Sequence, residues 1–378
     1  MALVKFSNIG MRAISATVPG NIIKTRDLTQ YYTEEAIEKF ISVTGVEERR
    51  FADNKTCSSD LCYQAAEQLF EETVLRREDV DVLIYVTETP DYKIPGTSVL
   101  LQDRLQLKTD TLVYDLNMAC GGFIQSLFMA YTYLSTPFIN NVLVLIGDTL
   151  SKIISLQDMG TGKLMGDAGT AIWVSKGEQF GNSFFSVHTD GSCLKSVYIP
   201  SGAYRNPTTI DTLRLRKYDD GSIRNEEQIA MIGEDVFGYA ISKLPKDIKR
   251  LLEFANVSIE QVDKYAFHQA NHFMTAHIAK KAKADMGKLL KSIHKYGNTA
   301  GTSIPLCMVE NRDKINAGDL ILMNAIGAGF TYGTVLLNIA DCQILNIKEY
   351  KTPFYRRQLP MPRTNYPRLT GIHLLNYF

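Results

Sequence analysis

Cys120 lies in the segment VYDLNMACGGFIQSLFMA, where an apolar, strand-like run breaks into small residues and continues as an apolar, helix-like run. This pattern predicts a thiol at a helix N-terminus, where unpaired backbone N–H groups and the helix dipole favour a thiolate. Gly121 and Gly122 leave room for a substrate to approach the sulfur. Cys120 is therefore a candidate nucleophile. The alternative is a small structural thiol, because free cysteines are among the most buried residues.

Two polar residues in the second half of the chain extend this chemistry. His268 follows the strand-like YAF and begins HQANHFM, and Asn298 lies in the glycine-rich turn of HKYGNTAGTSIPL. Taken singly, such a histidine or a turn asparagine is more often structural. Together with Cys120 they provide a nucleophile and two hydrogen-bond donors. The glycine turn GAGFTYG at 327–333 adds backbone N–H groups that could bind an oxyanion.

The segments that would position these residues occur twice, with the two copies almost half the chain apart. The landmarks Asp81, Asn117 and Gly147 of the first half correspond to Asp263, Asn298 and Gly327 of the second. The intervals between successive landmarks agree between the halves to within a single residue. This agreement predicts a duplicated chain. The alternative is that α/β units resemble one another through their period alone.

Each half alternates helices with strands. The segments SSDLCYQAAEQLFEETV and GEDVFGYAISKLPKDIKRLLEFA have helical spacing, whereas VDVLIYVTE, TLVYDLN, NNVLVLIG and LILMNAIGAG are short β-rich runs. Alternation of this kind predicts βαβ units and a largely parallel sheet. Two copies would stack into α/β/α/β/α layers, with the loops after the strands facing one cleft. Cys120 would enter that cleft from the first half, and His268 and Asn298 from the second.

The chain divides into three predicted regions. Residues 1–175 form a half that carries the cysteine, and residues 176–340 form a half that carries the histidine and the asparagine. The polar, turn-rich interval 176–230 is expected to form surface loops near the mouth of the cleft. Residues 341–378, with four of the twelve prolines, form a C-terminal extension of unassigned role that could pack over the body as an extended arm.

Composition excludes several classes of protein. Lys plus Arg and Asp plus Glu both number 41, so the net charge of zero favours neither nucleic acid nor an anionic membrane. No signal-peptide h-region and no run of about 18 apolar residues occurs, which predicts a cytoplasmic protein without membrane insertion. The six cysteines are sparse and lack a C-x-x-C spacing, so we expect reduced thiols and no metal site.

Five motifs carry a resemblance to a known family. In chain order they are DLNMACGGF, MGDAGTA, HQAN, GNTAGTSIPL and GAGFTYG. With this order and spacing the chain resembles the condensing enzymes of the thiolase fold, most nearly β-ketoacyl-acyl-carrier-protein synthase III. VTGVEERR and IPGTSVLLQDRL, at 94–105, also resemble that family, and the similarity extends from about residue 5 to 340.

The resemblance implies a thiolase-like fold with two pseudo-twofold-related halves and a two-step acyltransferase reaction of fatty acid or other lipid biosynthesis. Cys120 would accept an acyl group, with the backbone N–H groups of Cys120 and Gly329 as the oxyanion hole. His268 and Asn298 would then stabilise the enolate formed when malonyl-acyl carrier protein loses carbon dioxide, giving a β-ketoacyl thioester. No cofactor is expected, because acyl thioesters of carrier protein or coenzyme A are the substrates.

The chain departs from the family where coenzyme A is held. The family's tryptophan and arginines are replaced here by Lys39, Val43, Met159 and Phe273. We therefore expect an acyl carrier protein to deliver the primer, in a specialised lipid or secondary-metabolite pathway. Candidates for contact with an acidic carrier helix are Lys280, Lys281 and Lys283, for which a solvated helix face is the alternative.

The family also implies a homodimer, in which Ile94 of the neighbouring subunit would close the acyl pocket. Two other functions stay open. The first is an acyltransferase that passes the acyl group to an amine, a hydroxyl or a second ketoacyl unit without decarboxylation. The second is a non-catalytic scaffold that binds acyl carriers.

Overall fold

A computed structural model describes residues 2–350. The helices are α1 (Glu34–Thr44), α2 (Ser58–Glu72), α3 (Thr97–Arg104), α4 (Gly122–Leu134), α5 (Gly233–Ala255), α6 (His272–Lys281), α7 (Ile293–Tyr296) and α8 (Ser303–Glu310). The strands are β1 (Ala2–Ser7), β2 (Ile9–Pro19), β3 (Ile22–Lys24), β4 (Glu48–Arg50), β5 (Val82–Val86), β6 (Leu112–Leu116), β7 (Asn141–Asp148), β8 (Ala168–Lys176), β9 (Asn182–Thr189), β10 (Val197–Tyr198), β11 (Arg216–Lys217), β12 (Ile223–Arg224), β13 (Ala230–Met231), β14 (Lys264–Phe267), β15 (Leu320–Gly327), β16 (Thr331–Asn338) and β17 (Gln343–Tyr350). Within this range no helix is both long and apolar enough to cross a bilayer.

Two large sheets organise the molecule. The first has the strand order β17-β2-β8-β7-β5-β6, and the second has the order β1-β9-β16-β15-β14. Helices α4 and α8 contact both sheets, while α2 packs on the first sheet and α5 packs on the second, with α6 against α5. Almost every side of α4 and α8 is buried, as expected of helices between two sheets. The predicted α/β/α/β/α layering of the thiolase fold is confirmed.

The duplication is visible in the backbone. In the first half the N–H of Asp81 donates to Asn141 O, and Asp81 Oδ2 accepts the Asn141 N–H at 3.1 Å. In the second half Asp263 makes the same pair of bonds with Leu320, its Oδ2 accepting at 2.9 Å. The order β5-β7-β8-β2 of the first sheet therefore matches β14-β15-β16-β9 of the second.

The sheets are mixed, so the expectation of largely parallel sheets is wrong. In the second sheet β14 and β15 are parallel, but β15, β16, β9 and β1 pair antiparallel. The reason is the length of the connections. Only residues 328–330 join β15 to β16, and so short a link allows an antiparallel hairpin, whereas a parallel crossover needs a dozen or more residues.

The halves exchange edge strands. Strand β1 pairs with β9 in the second sheet, and β17 pairs with β2 in the first. Strand β17 is not predicted by the sequence, because residues 343–350 show no clear period. The division at residues 175/176 stays a prediction, and it falls at the end of β8. The rest of the proposed C-terminal extension, residues 351–378, lies outside the described residues.

Candidate active site

The Cys120 thiol lies where the sequence predicts, immediately before α4. Gly121 is the N-cap of that helix, and a Cβ at Gly121 would stand 2.6 Å from Thr331 Oγ1. A Cβ at Gly327, at the end of β15, would stand 2.4 Å from the Gly121 nitrogen and 2.8 Å from the Cys120 nitrogen. The end of β15 therefore packs directly against the Cys120 turn, and only glycine at 327 allows this close approach.

His268 follows β14, and its backbone N–H donates to Asn324 O at 2.8 Å. Its ring nitrogen Nδ1 lies 2.6 Å from the hydroxyl of Ser303, the first residue of α8. Burial lowers the pKa of His268 to about 4, so the imidazole is neutral at pH 7. The sequence analysis missed Ser303, although its place shortly after the Asn298 turn in TSIPL was a usable signal.

Asn298 is held by backbone and side-chain hydrogen bonds. Its N–H donates to Leu164 O at 2.9 Å, and its carbonyl accepts the Gly166 N–H at 3.0 Å. Its Oδ1 accepts the Ala300 N–H at 3.0 Å and lies 4.0 Å from the Cys120 sulfur. Because a backbone N–H can only donate, this bond fixes the amide orientation and leaves Nδ2 free to donate.

Cys120, His268 and Asn298 all line one cavity. Cys120 enters it from the first half of the chain and the other two residues from the second. The remaining wall is mainly apolar, and includes Leu150, Leu164, Val197, Ile229, Met231 and Phe330. Val197 and Ile229 come from the interval 176–230, which therefore contributes to the cavity wall as well as to surface loops.

The ionisation of Cys120 differs from the expectation. The sequence predicts a thiolate favoured by the helix end. In the structure the pKa of the thiol is raised well above its usual value, chiefly by burial and then by the neighbouring carboxyls of Glu88 and Asp148. A hydrogen bond from the backbone opposes this rise only partly. The sequence pattern showed the helix end but not how deeply the sulfur would be enclosed.

A second group that sequence reasoning missed is a pair of carboxyls. Glu88, shortly after β5, lines the cavity beside Cys120, and Asp148 ends β7 beneath it. Asp148 Oδ1 accepts the Glu88 N–H at 2.7 Å. The available signal was a charged residue in the VTET run, directly after a strand whose end faces the predicted cleft.

The other predicted residues do not line this cavity. Gly329 has a φ of +132°, which favours glycine, and sits between the cavity-lining residues Ala328 and Phe330. Ile94 is 83% exposed on the surface of the single chain. The three predicted lysines, Lys280, Lys281 and Lys283, are exposed at the C-terminal end of α6. Helix α6 begins at the cavity, so its last turn is about 15 Å further along the helix axis.

The positions expected to replace the coenzyme A contacts are on the surface. Val43 and Met159 are each 45% exposed, and Lys39 is exposed on α1. Phe273 is stacked on the cavity-lining Phe237 with ring centroids 5.3 Å apart. This stack places an aromatic, uncharged surface beside the cavity.

Comparisons with known proteins identify the family of this chain. The family profile of 3-oxoacyl-[acyl-carrier-protein] synthase III matches residues 114–191, and the profile of that family's C-terminal part matches residues 252–339. A β-ketoacyl-[acyl-carrier-protein] synthase III of Fusobacterium nucleatum is 31% identical over 336 residues, 88% of this chain and 99% of that protein. A putative 3-oxoacyl-[acyl-carrier-protein] synthase 3 of Campylobacter jejuni is 30% identical over 358 residues, 92% of this chain and 98% of that protein.

A solved structure gives the same result. The crystal structure of a 3-oxoacyl-(acyl-carrier protein) synthase from Burkholderia xenovorans superposes with a TM-score of 0.85 at 28% identity, covering 92% of this chain and 99% of that chain. The matched profiles contain the cysteine turn in one half and the histidine and asparagine turns in the other. The chain therefore belongs to the β-ketoacyl-acyl-carrier-protein synthase III family and is a thiolase-fold acyltransferase of the condensing-enzyme class.

Proposed function

We propose that the enzyme transfers an acyl group from a thioester to Cys120 and then condenses it with malonyl-acyl carrier protein, releasing carbon dioxide and forming a β-ketoacyl thioester. The observation that carries this proposal is the convergence of Cys120, His268 and Asn298 on one mainly apolar cavity. A thiol supplies the covalent intermediate, and two neutral donors supply stabilisation of a developing oxyanion.

Acyl transfer begins with attack of the Cys120 sulfur on the thioester carbonyl. The new C–S bond forms, the bond to the donor sulfur breaks, and the donor leaves as a thiol. The oxyanion of the tetrahedral intermediate would accept hydrogen bonds from the backbone N–H groups of Cys120 and Gly329. Loss of one such donor typically slows an enzyme by about 10²- to 10³-fold.

Condensation requires stabilisation of an enolate. As the carboxylate carbon of the malonyl group leaves as carbon dioxide, the electron pair moves onto the thioester carbonyl oxygen. Asn298 Nδ2 and His268 Nε2 would donate to that oxygen. The Ser303 hydroxyl, which accepts the Gln269 N–H at 3.4 Å, is available to donate to His268 Nδ1, and this leaves the imidazole hydrogen on Nε2. The resulting carbanion attacks the acyl carbonyl, and Cys120 leaves as a thiolate.

A carrier protein is the proposed donor of the primer. Of the four exposed positions expected at the coenzyme A contacts, only Lys39 carries a charge, whereas Val43, Met159 and Phe273 offer neither a charge nor a fork of hydrogen-bond donors for the phosphates. For the same reason we assign the enzyme to a specialised lipid or secondary-metabolite pathway instead of bulk fatty-acid initiation.

A basic groove between α5 and α6 supports this choice of donor. Lys246 and Lys249 of α5 and Lys281 and Lys283 at the end of α6 surround a partly apolar floor. Charge reversal at Lys280, Lys281 and Lys283 should raise the KM for an acyl-carrier substrate several-fold, with a smaller effect at high salt. An unchanged KM would remove these lysines from the carrier-binding surface.

We further propose that a second copy of the chain covers Ile94. Strand β6 is the outermost strand of its sheet within residues 2–350, and beside the Ile94 loop Tyr204 is 85% exposed. Lys93 joins the two loops by donating to Gly202 O at 3.2 Å. Sedimentation should find a dimer, and Ile94→Asp should weaken it. A wild-type monomer at micromolar concentration would contradict this assembly.

The first experiment is an intact-mass measurement after exposure to octanoyl-carrier protein or octanoyl-coenzyme A, with Cys120→Ala as the control. The expected result is an octanoyl adduct from the carrier alone, lost in the variant. Equal adducts from both donors would contradict the carrier assignment but not acyl transfer. No adduct from either would contradict acyl transfer of this primer and favour the scaffold.

A second measurement separates condensation from other acyl transfers. Acylated enzyme supplied with malonyl-carrier protein should release one carbon dioxide for each acyl group consumed. Consumption of the acyl group without release of carbon dioxide would favour a non-malonyl acceptor.

A further inference from the structure

Two carboxyls, the partly buried Glu88 and the buried Asp148, lie near the Cys120 thiol, and neither has a part in the two steps above. Glu88 lines the cavity together with Cys120, His268 and Asn298. Asp148 is only 1% exposed and lies behind it at the end of β7. Within residues 2–350, the Glu88 carboxylate makes no hydrogen bond to another side chain, so its oxygens stay available to a group in the cavity.

Only one oxygen of the Asp148 carboxyl accepts hydrogen bonds from the described residues. Its Oδ1 accepts from the Thr87 hydroxyl at 3.1 Å, the Glu88 N–H at 2.7 Å and the Thr89 hydroxyl at 3.2 Å. Its Oδ2 is buried and has no hydrogen-bond partner among the described residues. A buried, unpartnered carboxylate oxygen is costly, which favours a proton on this group.

The two carboxyls therefore divide their roles. A charge on Glu88 raises the pKa of Asp148, so the state in which both carboxyls are charged is disfavoured. Burial and the charge of Glu88 raise the pKa of Asp148 well above its usual value, whereas burial raises the pKa of Glu88 to about 7. Asp148 thus keeps its proton, and Glu88 exchanges one near neutral pH.

The Cys120 thiol needs a proton acceptor, since its pKa is raised. The titratable groups that face the Glu88 carboxyl are Asp148 behind it and Cys120 and His268 across the cavity. His268 has a pKa of about 4, and its Nδ1 is occupied by Ser303. Among these groups Glu88 alone combines access to the cavity with a suitable affinity for a proton.

We propose that Glu88 carries the proton of the acyl-transfer step between the Cys120 thiol and the departing donor thiol. This inference rests on the proposed function. As Cys120 Sγ bonds to the acyl carbon, the S–H bond breaks and its proton moves to a Glu88 carboxylate oxygen, directly or through one water. When the tetrahedral intermediate collapses, the C–S bond to the donor breaks and its sulfur takes the proton from Glu88. No net proton is consumed, and no oxidant or cofactor is needed.

The test is the single-turnover acylation rate of Cys120 by octanoyl-carrier protein from pH 5.5 to 9, measured by intact mass. The wild-type rate should rise through an inflection near pH 7. Glu88→Gln should lower the rate at pH 7.5 by about 10²-fold or more and remove the inflection. Glu88→Asp, which keeps a carboxylate, should recover part of the rate and keep the inflection. Glu71→Gln, an exposed glutamate of α2, is the matched control.

A second readout separates proton transfer from simple electrostatics. The thiol pKa, taken from thiolate absorbance against Cys120→Ala, should fall in Glu88→Gln, because a neighbouring negative charge is removed. A more acidic thiol that is acylated more slowly supports the proposal. Acylation at an unchanged or higher rate in Glu88→Gln would overturn it, as would an inflection lost in Glu88→Asp. Failure of wild-type acylation by both octanoyl donors would instead contradict the proposed function, and this inference with it.

Discussion

Glu88 and Asp148 in the first half of the chain stand where the second half has Ala270 and Ala328. The offset from Glu88 to Ala270 equals that from Asp81 to Asp263, and the offset from Asp148 to Ala328 equals that from Gly147 to Gly327. Glu88, Ala270 and Ala328 all line the cavity. The duplicated frame thus presents one carboxyl, Glu88, to the cavity from the first half, with Asp148 behind it, and two methyl groups from the second half.

The turns before the central helices differ in the same way. The first half places Cys120 before α4, whereas the second half places Asn298 before α8, with His268 at the end of β14. The two halves share their backbone hydrogen bonds and close-packed glycines. They differ in the side chains that follow the strand ends. In the mechanism we propose, the first half therefore supplies the thiol and its proton carrier, and the second half supplies neutral donors to an oxyanion.

The largest expected effect of any substitution is at the thiol. Cys120→Ala should abolish covalent acylation, because no other cavity residue among those described combines a nucleophile with the helix N-terminus. Intact mass after exposure to an acyl donor measures this. Cys193→Ala, a partly exposed thiol away from the cavity, is the control and should acylate normally. An adduct that persists in Cys120→Ala would place the nucleophile elsewhere.

The donors of the second half should affect the second step. His268→Ala and Asn298→Ala should retain acylation but lower the rate of condensation by about 10²- to 10³-fold, because each removes one donor to the enolate oxygen. Single-turnover acylation and carbon dioxide release measure the two steps separately. Equal loss of acylation in folded Cys120→Ala, His268→Ala and Asn298→Ala would contradict the division of labour between the halves.

Ser303 sharpens the comparison as a positioning residue. Ser303→Ala removes the partner of His268 Nδ1 and should slow condensation by about 10- to 100-fold while leaving acylation unchanged. Ser303→Thr keeps the hydroxyl and should recover most of the rate. If Ser303→Thr were as slow as Ser303→Ala, the defect would come from packing against α8 and not from the hydrogen bond.

The smallest effect concerns stability, and its sign is opposite in the two halves. The pKa of Glu88 is raised from 4.5 to about 7, so the folded chain holds a proton that the unfolded chain releases, and stability falls as pH rises through this range. The pKa of His268 is lowered from 6.5 to about 4, so between these pH values the unfolded chain binds a proton that the folded chain does not. The contribution of His268 to the free energy of unfolding therefore falls as pH drops from 6.5 to 4.

Glu88→Gln tests the first of these signs. It should be more stable than the wild type at pH 8 by about 1–3 kcal/mol, and the difference should shrink at pH 5. Urea unfolding at pH 5, 6.5 and 8 measures this, with Glu71→Gln as the control. A difference independent of pH would contradict a titrating Glu88.

Much of the fold and the central trio could be predicted from the sequence. Helix α5 begins and ends where its apolar spacing predicts, and β5, β6, β7 and β15 coincide with the short β-rich runs. Cys120, His268 and Asn298 are placed by local signals, since each follows a strand-like run or precedes a turn or helix. Such signals depend only on neighbouring residues in the chain, so they can be recognised in the sequence without the tertiary structure.

Other features depend on contacts between distant segments. Strand β17 pairs with β2 although most of the chain lies between them, and the mixed direction of the sheets follows from which connections are short. Ser303 reaches His268 only because α8 returns to the end of β14. No local sequence pattern predicts these contacts between distant segments.

The sequence by itself therefore determined the duplicated frame, the family and the three residues that meet in the cavity, because periodicity and strand-end turns are local properties. Tertiary structure alone decided the protonation of the site. The raised pKa values of Cys120, Glu88 and Asp148 and the lowered pKa of His268 all arise from burial by segments remote in sequence. The free energy of a charge depends on everything that surrounds it, and that surrounding exists only after the two halves have closed around the cavity.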